Sequence, residues 1–284
     1  MIKRMDLSII IVNYNTLDLT KQCIDSVIKN TSDVLYEIIV VDNDSSDGSK
    51  EYLSERRDIK FIESGENLGF GRANNLGFKQ STGRYLLMLN SDTIVENDIL
   101  TRMVRIFDKQ PEDVACLGSI LVHGDYSPCF SHGFFATWRK RYDCANKEKD
   151  PTAIKGYQQD VEYVSGADLF VRRWVAEKYG LFDPDFFMYY EDMEICFRYK
   201  KNGLRSVVVD EKGIVHLDGG SHRSSYRKIC MTSSTYILYL RKTLPQGEFF
   251  IAKFYTILRR CFTVWHYHWP FGDSVRYIWL LIKS

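Results

Sequence analysis

The chain has 284 residues, 45% hydrophobic and 26% charged, which is the balance of a globular protein and excludes a disordered or fibrous one. A formal net charge of +1 gives no whole-molecule attraction to nucleic acid, which is not expected as a partner, although the C-terminal part is basic. Seven cysteines without a CxxC pair make no disulfide framework and fit reduced thiols in a cytoplasmic protein.

The first apolar run is broken by Asn13 and Asn15, so the N-terminus reads as a strand and not a signal peptide. No segment reaches the roughly 18 apolar residues of a membrane span. Residues 8–12, "SIIIV", predict a strand covered on both faces. The following "DLTKQCIDSVIKN" sets Leu19, Cys23, Ile24, Val27 and Ile28 on one helical face. A second strand at 38–41 runs into an acidic turn at Asp42 and a helix through "SKEYLSERR". "IKFIES" is a third strand, and the Gly- and Asn-rich "NLGFGRANNLGFKQS" leads into a helix. "GRYLLMLNSD" is a fourth strand ending near Asp92, and "NDILTRMVRIFDK" a helix with Asn97 as its N-cap. "DVACLGSILV" adds a strand.

Strands alternating with helices over about 120 residues predict a mostly parallel α/β sheet. Ligands of such sheets bind at the carboxyl ends of the strands, where Asp42 and Asp92 both fall. Residues 123–160 lack periodicity and predict a loop or small insertion over that site. "VEYVSGADLFVRR" returns to strand, "WVAEKYG" is a short helix ended by Gly180, and "LFDPDFFMYY" is an aromatic loop. "EDMEICFRYKKNG" is a helix with acids in its first turn and Gly203 after its last. "RSVVVD" and "GIVHL" are strands, and from about residue 224 the pattern is helical and aromatic.

Seven ordered blocks carry a family resemblance: "SIIIVNYN", "EIIVVDNDSSDGS", "NLGFGRANNLGF", "GRYLLMLNSD", "VSGADLFVRR", "GLFDPDFFMYYEDMEICFR" and "IVHLDGGS". Together they resemble the inverting glycosyltransferases of family 2, with the GT-A nucleotide-diphospho-sugar transferase fold, and within it the rhamnosyltransferase-like subgroup. The resemblance spans roughly residues 6–222. It implies a glycosyltransferase domain at 1–222, with a donor half to about residue 120 and an acceptor half at 121–222. A helical C-terminal extension at 223–284 would follow. The implied reaction moves a sugar, rhamnose from dTDP-rhamnose or a hexose from a UDP-sugar, to a saccharide acceptor in bacterial surface polysaccharide synthesis.

The chemistry suits the residue types. A departing nucleoside diphosphate gathers negative charge, which a divalent cation, Mn²⁺ or Mg²⁺, offsets while using few protein ligands. The resemblance assigns Asp92 to that cation and His216 as its nitrogen ligand; His216 reads equally as a structural strand histidine. Asn90 stands where the fuller motif has an acid, which removes one negative charge. The resemblance also implies that Val12, Tyr14, Asn15 and Asp42 border the base, with a turn role open for Asp42 and a rim role for Tyr14. Asn67, Arg72, Asn75, Asn90 and Ser91 would border the ribose, sugar or diphosphate, with a solvated helix position as the other reading of Arg72. Gly166, Ala167 and Asp168 would shape the acceptor side.

Inverting transfer needs one carboxylate to deprotonate the acceptor hydroxyl. Asp192 matches the family's base and Glu191 would contact the acceptor or hold Asp192. Consecutive helical residues diverge by about 100°, so the two cannot share one task. Adjacent acids of this kind also cannot flank a glycosidic bond, which disfavours a glycosidase. "VNYNTLDL" lacks the Gly-rich basic loop of a sugar-nucleotide pyrophosphorylase, and a catalytically inactive sugar-nucleotide-binding module is the remaining rival. Residues 249–284 interleave aromatics with Lys253, Arg259, Arg260, Arg276 and Lys283 against Asp273. That pattern fits peripheral contact with the anionic inner face of a membrane, useful for a lipid-linked acceptor, or a helical lid or oligomer interface.

Overall fold

The computed structural model describes residues 5–137, 154–217, 225–264 and 269–284. Cys144 with residues 138–153 of the expected insertion, and the Gly219-Gly220 turn after His216, lie outside the described residues.

The first half alternates strand and helix: β1 (Leu7–Asn13), α1 (Leu17–Lys29), β2 (Tyr36–Asp42), α2 (Ser49–Glu55), β3 (Lys60–Glu63), α3 (Phe70–Gln80) and β4 (Tyr85–Asn90). A short β5 (Thr93–Val95), α4 (Ile99–Lys109) and β6 (Val114–Gly118) complete it. The second half contains β7 (His132–Gly133), β8 (Gln158–Val161), β9 (Tyr163–Val164), β10 (Asp168–Arg172), α5 (Arg173–Tyr179) and α6 (Glu191–Lys201). Then come β11 (Arg205–Val209), β12 (Ile214–His216) and three helices, α7 (Tyr226–Thr243), α8 (Gln246–Thr263) and α9 (Phe271–Lys283).

Eight strands make one sheet in the order β3-β2-β1-β4-β10-β6-β11-β8. Only β10 and the edge strand β8 run antiparallel to the other six, so the sheet is mostly parallel, as expected. Along β4, Leu87 and Leu89 join a cluster with Ile24 of α1 and Met103 of α4. Leu86 and Met88 point the other way, into a cluster with Val175 of α5 and Ile195 of α6. Both faces are covered, which is why the strand reads as an unbroken apolar run; each such side chain contributes about 1.5–3 kcal/mol of burial.

The same second cluster takes in Tyr236, Ile237, Tyr239 and Leu240 of α7, Phe249 and Ala252 of α8, and Tyr277 and Leu281 of α9. The three C-terminal helices thus pack continuously onto the layer that holds α6.

Three local expectations need correction. The segment "VEYVSGADLFVRR" is not one strand. Its chain leaves the sheet edge at β8 and must cross β11 and β6 to reach the position of β10, so it breaks around the short β9. Helix α4 is capped by Asp98 and not by Asn97. Both residues are left-handed, with φ of 53° and 52°; Asp98 holds the cap position without a side-chain bond to the helix N–H groups, its carboxylate accepting instead from Thr101 Oγ1 at 2.6 Å and Ser32 N at 3.1 Å. On α1, Ile28 is 39% exposed; the helix turns Thr20 and Ser26 inward instead, because each has a buried hydrogen-bond partner.

Candidate active site

Parallel β1, β2 and β4 end together, with Asn13 opposite Asp42 and Val12 opposite Asn90. Their carboxyl ends form one wall. Asn13 is fully buried and links it: its Nδ2 donates to Asp42 Oδ1 at 2.7 Å and Ser45 Oγ at 3.0 Å, while its Oδ1 accepts from Thr20 Oγ1 at 2.6 Å and Thr16 Oγ1 at 3.1 Å. Thr16 Oγ1 in turn lies 3.2 Å from Ser91 Oγ. A polar chain therefore crosses three strand ends beneath the ligand edge, and a satisfied buried network of this kind rigidifies what it joins. Asp42 is only 1% exposed, with Oδ2 accepting from Ser45 N at 3.2 Å. Asn15, left-handed at φ 53°, holds the opposing turn by accepting from Ser46 N at 2.7 Å. Val12 is partly buried at the strand end and Tyr14 stands 47% exposed above it.

The β12–β5 ladder sets His216 opposite Thr93, which brings His216 Nε2 to 3.2 Å from Asp92 Oδ1. Asn90 Nδ2 lies 3.4 Å from the same nitrogen, and Cys129 Sγ lies 3.7 Å from Nδ1. Burial pulls the His216 imidazolium down, but the Asp92 carboxylate, helped by the Cys129 thiol, outweighs it and raises the group to about 10. Facing Asp92 alone, the imidazole therefore keeps its proton at neutral pH, and a divalent cation seated between the two groups would have to displace that proton. Two adjacent octahedral ligands about 2.1 Å from a metal sit about 3.0 Å apart, close to the observed separation, and Cys129 steadies the ring from behind as outer-shell partners do. No cluster of three or more acidic, His or Cys ligands occurs among the described residues, so a cation here would draw its remaining ligands from diphosphate and water.

Helix α6 presents the acids. Tyr189 and Tyr190, just before it, are both left-handed at φ 71° and 67°, a conformation costing on the order of 1–3 kcal/mol for each. The Tyr190 ring is held between Tyr236 and Tyr239 of α7, at centroid distances of 5.6 and 5.7 Å. Asp192 is partly exposed and takes hydrogen bonds from Gly166 N at 3.1 Å and its neighbour Met193 N at 2.8 Å. Burial raises its carboxyl above the ordinary range, against those two N–H donors. Glu191 is 6% exposed, its Oε2 has no hydrogen-bond partner, and burial followed by the charge of Asp192 pushes it up to about 8. The two acids titrate as a pair: burial raises both, and the charge of Asp192 raises Glu191 further.

Gly166 and Ala167 join the two halves of the site, since Ala167 O accepts from Asn90 N at 3.1 Å. Asp168 does not line the acceptor side as expected. It is fully buried, its Oδ2 accepting from Ser119 N at 2.8 Å and Ser119 Oγ at 2.6 Å, and burial raises it to about 7. Asn75 also departs from expectation: both ends of its amide engage the Phe182 backbone, at 2.7 and 3.0 Å, so it clamps the aromatic loop. Asn67 Oδ1 accepts from Asn43 Nδ2 and Gly69 N, both at 3.0 Å, and shapes the turn before α3. Arg72 is exposed on α3, its Nε donating to Leu68 O at 3.0 Å.

Asn13, Thr16, Asn43 and Cys129 were not singled out from sequence. Asn13 did carry a signal, a polar residue closing a buried strand in the same position as Asp42 on the next strand. Cys129 carried none.

Comparison with known proteins bears on this site. The sequence profile of Glycosyl transferase family 2 matches residues 8–162. The chain is 28% identical over 236 residues to the rhamnosyltransferase WbbL of Escherichia coli K12, covering 78% of this chain and 86% of that protein. It is 27% identical over 232 residues to the low-salt glycan biosynthesis hexosyltransferase Agl10 of Haloferax volcanii, covering 78% and 71%. Among solved structures, GalNAc-T7 with UDP, GalNAc and Mn²⁺ superposes with a TM-score of 0.63 at 19% identity, over 85% of this chain but only 48% of that one. S. aureus TarS 1-349 with UDP gives 0.56 at 17% identity, over 86% and 68%. These neighbours carry the GT-A fold, and at such identities the likeness concerns the fold alone.

Proposed function

This chain belongs to glycosyl transferase family 2 and is a glycosyltransferase of glycan biosynthesis, and from that premise we propose that it transfers the sugar of a nucleotide-diphospho-sugar to a saccharide acceptor with inversion at the anomeric carbon and release of the nucleoside diphosphate, the transferred sugar being rhamnose from dTDP-rhamnose. The observation that carries the transfer reading is the pairing of Asp92 with His216 on the sheet's carboxyl edge, joined through Ala167 and Gly166 to Asp192. The rhamnose reading is supported by WbbL. A UDP-hexose is the second reading, favoured by the hexosyltransferase Agl10 and by the UDP bound in TarS.

In this mechanism Asp92 and His216 would hold a Mn²⁺ or Mg²⁺ ion, which would supply Lewis-acid neutralisation of the departing diphosphate. Asp42, Asn15 and Tyr14 border the base, with Asn67 and Arg72 nearer the sugar and diphosphate; the Arg72 guanidinium offers a planar set of donors to phosphate oxygens. Asp192 takes the proton of the acceptor hydroxyl as that oxygen attacks the anomeric carbon from the face opposite the diphosphate. Glu191, buried beside Asp192, has its ionisation opposed by burial and by the charge of the base. The acceptor is a surface glycan intermediate.

A thermal-shift panel of dTDP- and UDP-sugars with and without Mn²⁺ or Mg²⁺ tests the proposal. dTDP-rhamnose with metal is expected to give the largest stabilisation. A larger shift with a UDP-hexose selects the second reading, and no shift with any nucleotide sugar removes the donor site.

A further inference from the structure

The chain is nearly neutral overall but strongly divided. Residues 225–284 carry nine Lys and Arg against Glu248 and Asp273, a net +7, while the remaining residues carry 29 basic against 35 acidic side chains, a net −6.

Helix α8 in this basic part is apolar on both sides. Its inward face buries Phe249 and Ala252. Its outward face, where a surface helix ordinarily carries polar residues, shows Phe250, Ile251, Phe254, Leu258 and Phe262, from 45% to 72% exposed. On α9, Phe271, Val275, Trp279 and Ile282 form a second outward stripe at 84%, 50%, 55% and 47% exposure. The helices lie side by side, with Lys253 Nζ donating to Ile282 O at 2.9 Å. Between them opens a groove of about 640 Å³ lined by Cys261, Val264, Val275, Ile278 and Trp279 among others. Lys283 lies over the Trp279 ring at 4.8 Å. No helix among the described residues is long and apolar enough to cross a membrane.

We propose that the outward face of α8 and α9 seats on an anionic phospholipid surface, the aromatic stripes entering the headgroup boundary and the surrounding cations meeting lipid phosphates. An apolar face with basic flanks, too short in hydropathy to span, is the interfacial arrangement, and Trp and Lys at one rim suit the headgroup level. A second copy is disfavoured as the occupant, because a two-fold contact would set the net +3 of α8 and α9, from Lys253, Arg259, Arg260, Arg276 and Lys283 against Glu248 and Asp273, against itself. The inference stands apart from the donor and acceptor readings above.

Sedimentation of the full chain with vesicles tests it. Partition into phosphatidylglycerol-containing vesicles is expected to exceed that into pure phosphatidylcholine by about tenfold or more, and to weaken at high salt. The combined Phe254→Ser, Phe262→Ser and Trp279→Ser variant is expected to lose this binding by a similar factor. Arg259→Gln with Lys283→Gln, at exposed positions, should narrow the difference between the two vesicle types even if the serine variant folds poorly. Equal or absent partition into both vesicle types overturns the proposal. So does a dimer, seen by light scattering, that the serine variant converts to monomer without changing vesicle binding. Nucleotide-sugar binding measured on the same variants should be unchanged, and a parent chain that binds vesicles but no nucleotide sugar counts against the proposed function and not against the membrane face.

Discussion

Gly166 donates its backbone N–H to Asp192 Oδ2 over 3.1 Å, and the next residue, Ala167, accepts from Asn90 N over the same distance. Two consecutive peptide groups thus connect the acid at the start of α6 to the strand end that precedes Asp92. An acid placed this way is fixed relative to the sheet edge by backbone, which side-chain motion does not relax. Asp192→Asn keeps the shape and removes the proton acceptor. Its kcat is expected to fall by about 10²–10⁴-fold, with the affinity for the nucleotide sugar unchanged by calorimetry. Unaltered turnover would remove Asp192 as the base, whereas donor binding by the parent chain without any transfer would favour a binding module.

The pH profile separates the two acids. Asp192 works ionised and its carboxyl is raised by burial, so kcat/KM should climb with pH, its acid limb centred above the ordinary aspartate value of about 3.9. Glu191 is raised to about 8 by burial and by Asp192, and carries its proton at neutral pH. Glu191→Gln therefore preserves the charge state there and should keep activity within about tenfold. A larger loss in Glu191→Gln than in Asp192→Asn would exchange their roles.

Metal affinity is readable without turnover. Mn²⁺ binding in the presence of a nucleoside diphosphate, followed by electron paramagnetic resonance, should be lost in Asp92→Ala. Cys129→Ala removes the partner of His216 Nδ1 and should weaken binding by about tenfold. Metal dependence that survives Asp92→Ala would remove Asp92 from the cation site.

Asp168 predicts a stability effect. Its folded pKa of about 7 lies above the unfolded value near 4, so the folded state holds the proton more tightly. Stability is full below about pH 4 and falls as pH rises toward 7. Asp168→Asn can still accept from Ser119 without bearing a charge. It should melt higher than the parent at pH 8, by the equivalent of about 2–4 kcal/mol, with the gap closing at pH 4. An altered KM for acceptor with no change in melting would restore Asp168 to the acceptor side.

Gly69 sits at φ +77°, and a Cβ there would overlap the Phe187 carbonyl oxygen, the group that accepts from Phe70 N at 2.8 Å. Gly69→Ala should therefore lift the aromatic loop off α3, lowering stability by about 1–3 kcal/mol and reducing kcat with it. A melting curve that matches the parent would show that the loop docks elsewhere.

The first half of the fold was legible because its strands are covered on both faces and its helices amphipathic; "SIIIV", "EIIVV" and "YLLML" needed no partner to be read. Asp42, Asp92 and Asp192 were legible as acids at element ends. The path from β8 to β10 was not, since a chain crossing two strands leaves no local pattern. Asn75 and Asp168 were misassigned for a similar reason: the same polar side chain serves a ligand or a backbone carbonyl, and only the distance to Phe182 or Ser119 decides which.

By itself the sequence determined the alternation of elements, the acids at their ends and the charged, aromatic character of the C-terminal helices, all of which depend on neighbours close in the chain. The tertiary structure decided which of those groups meet. It brought His216 across 124 residues to Asp92 through the β12–β5 ladder, and it tied Asp192 to Asn90 through Gly166 and Ala167. It also turned one apolar face of α8 inward and left the other exposed. Those outcomes depend on strand order, register and packing against the sheet, which arise from contacts between segments far apart in the chain.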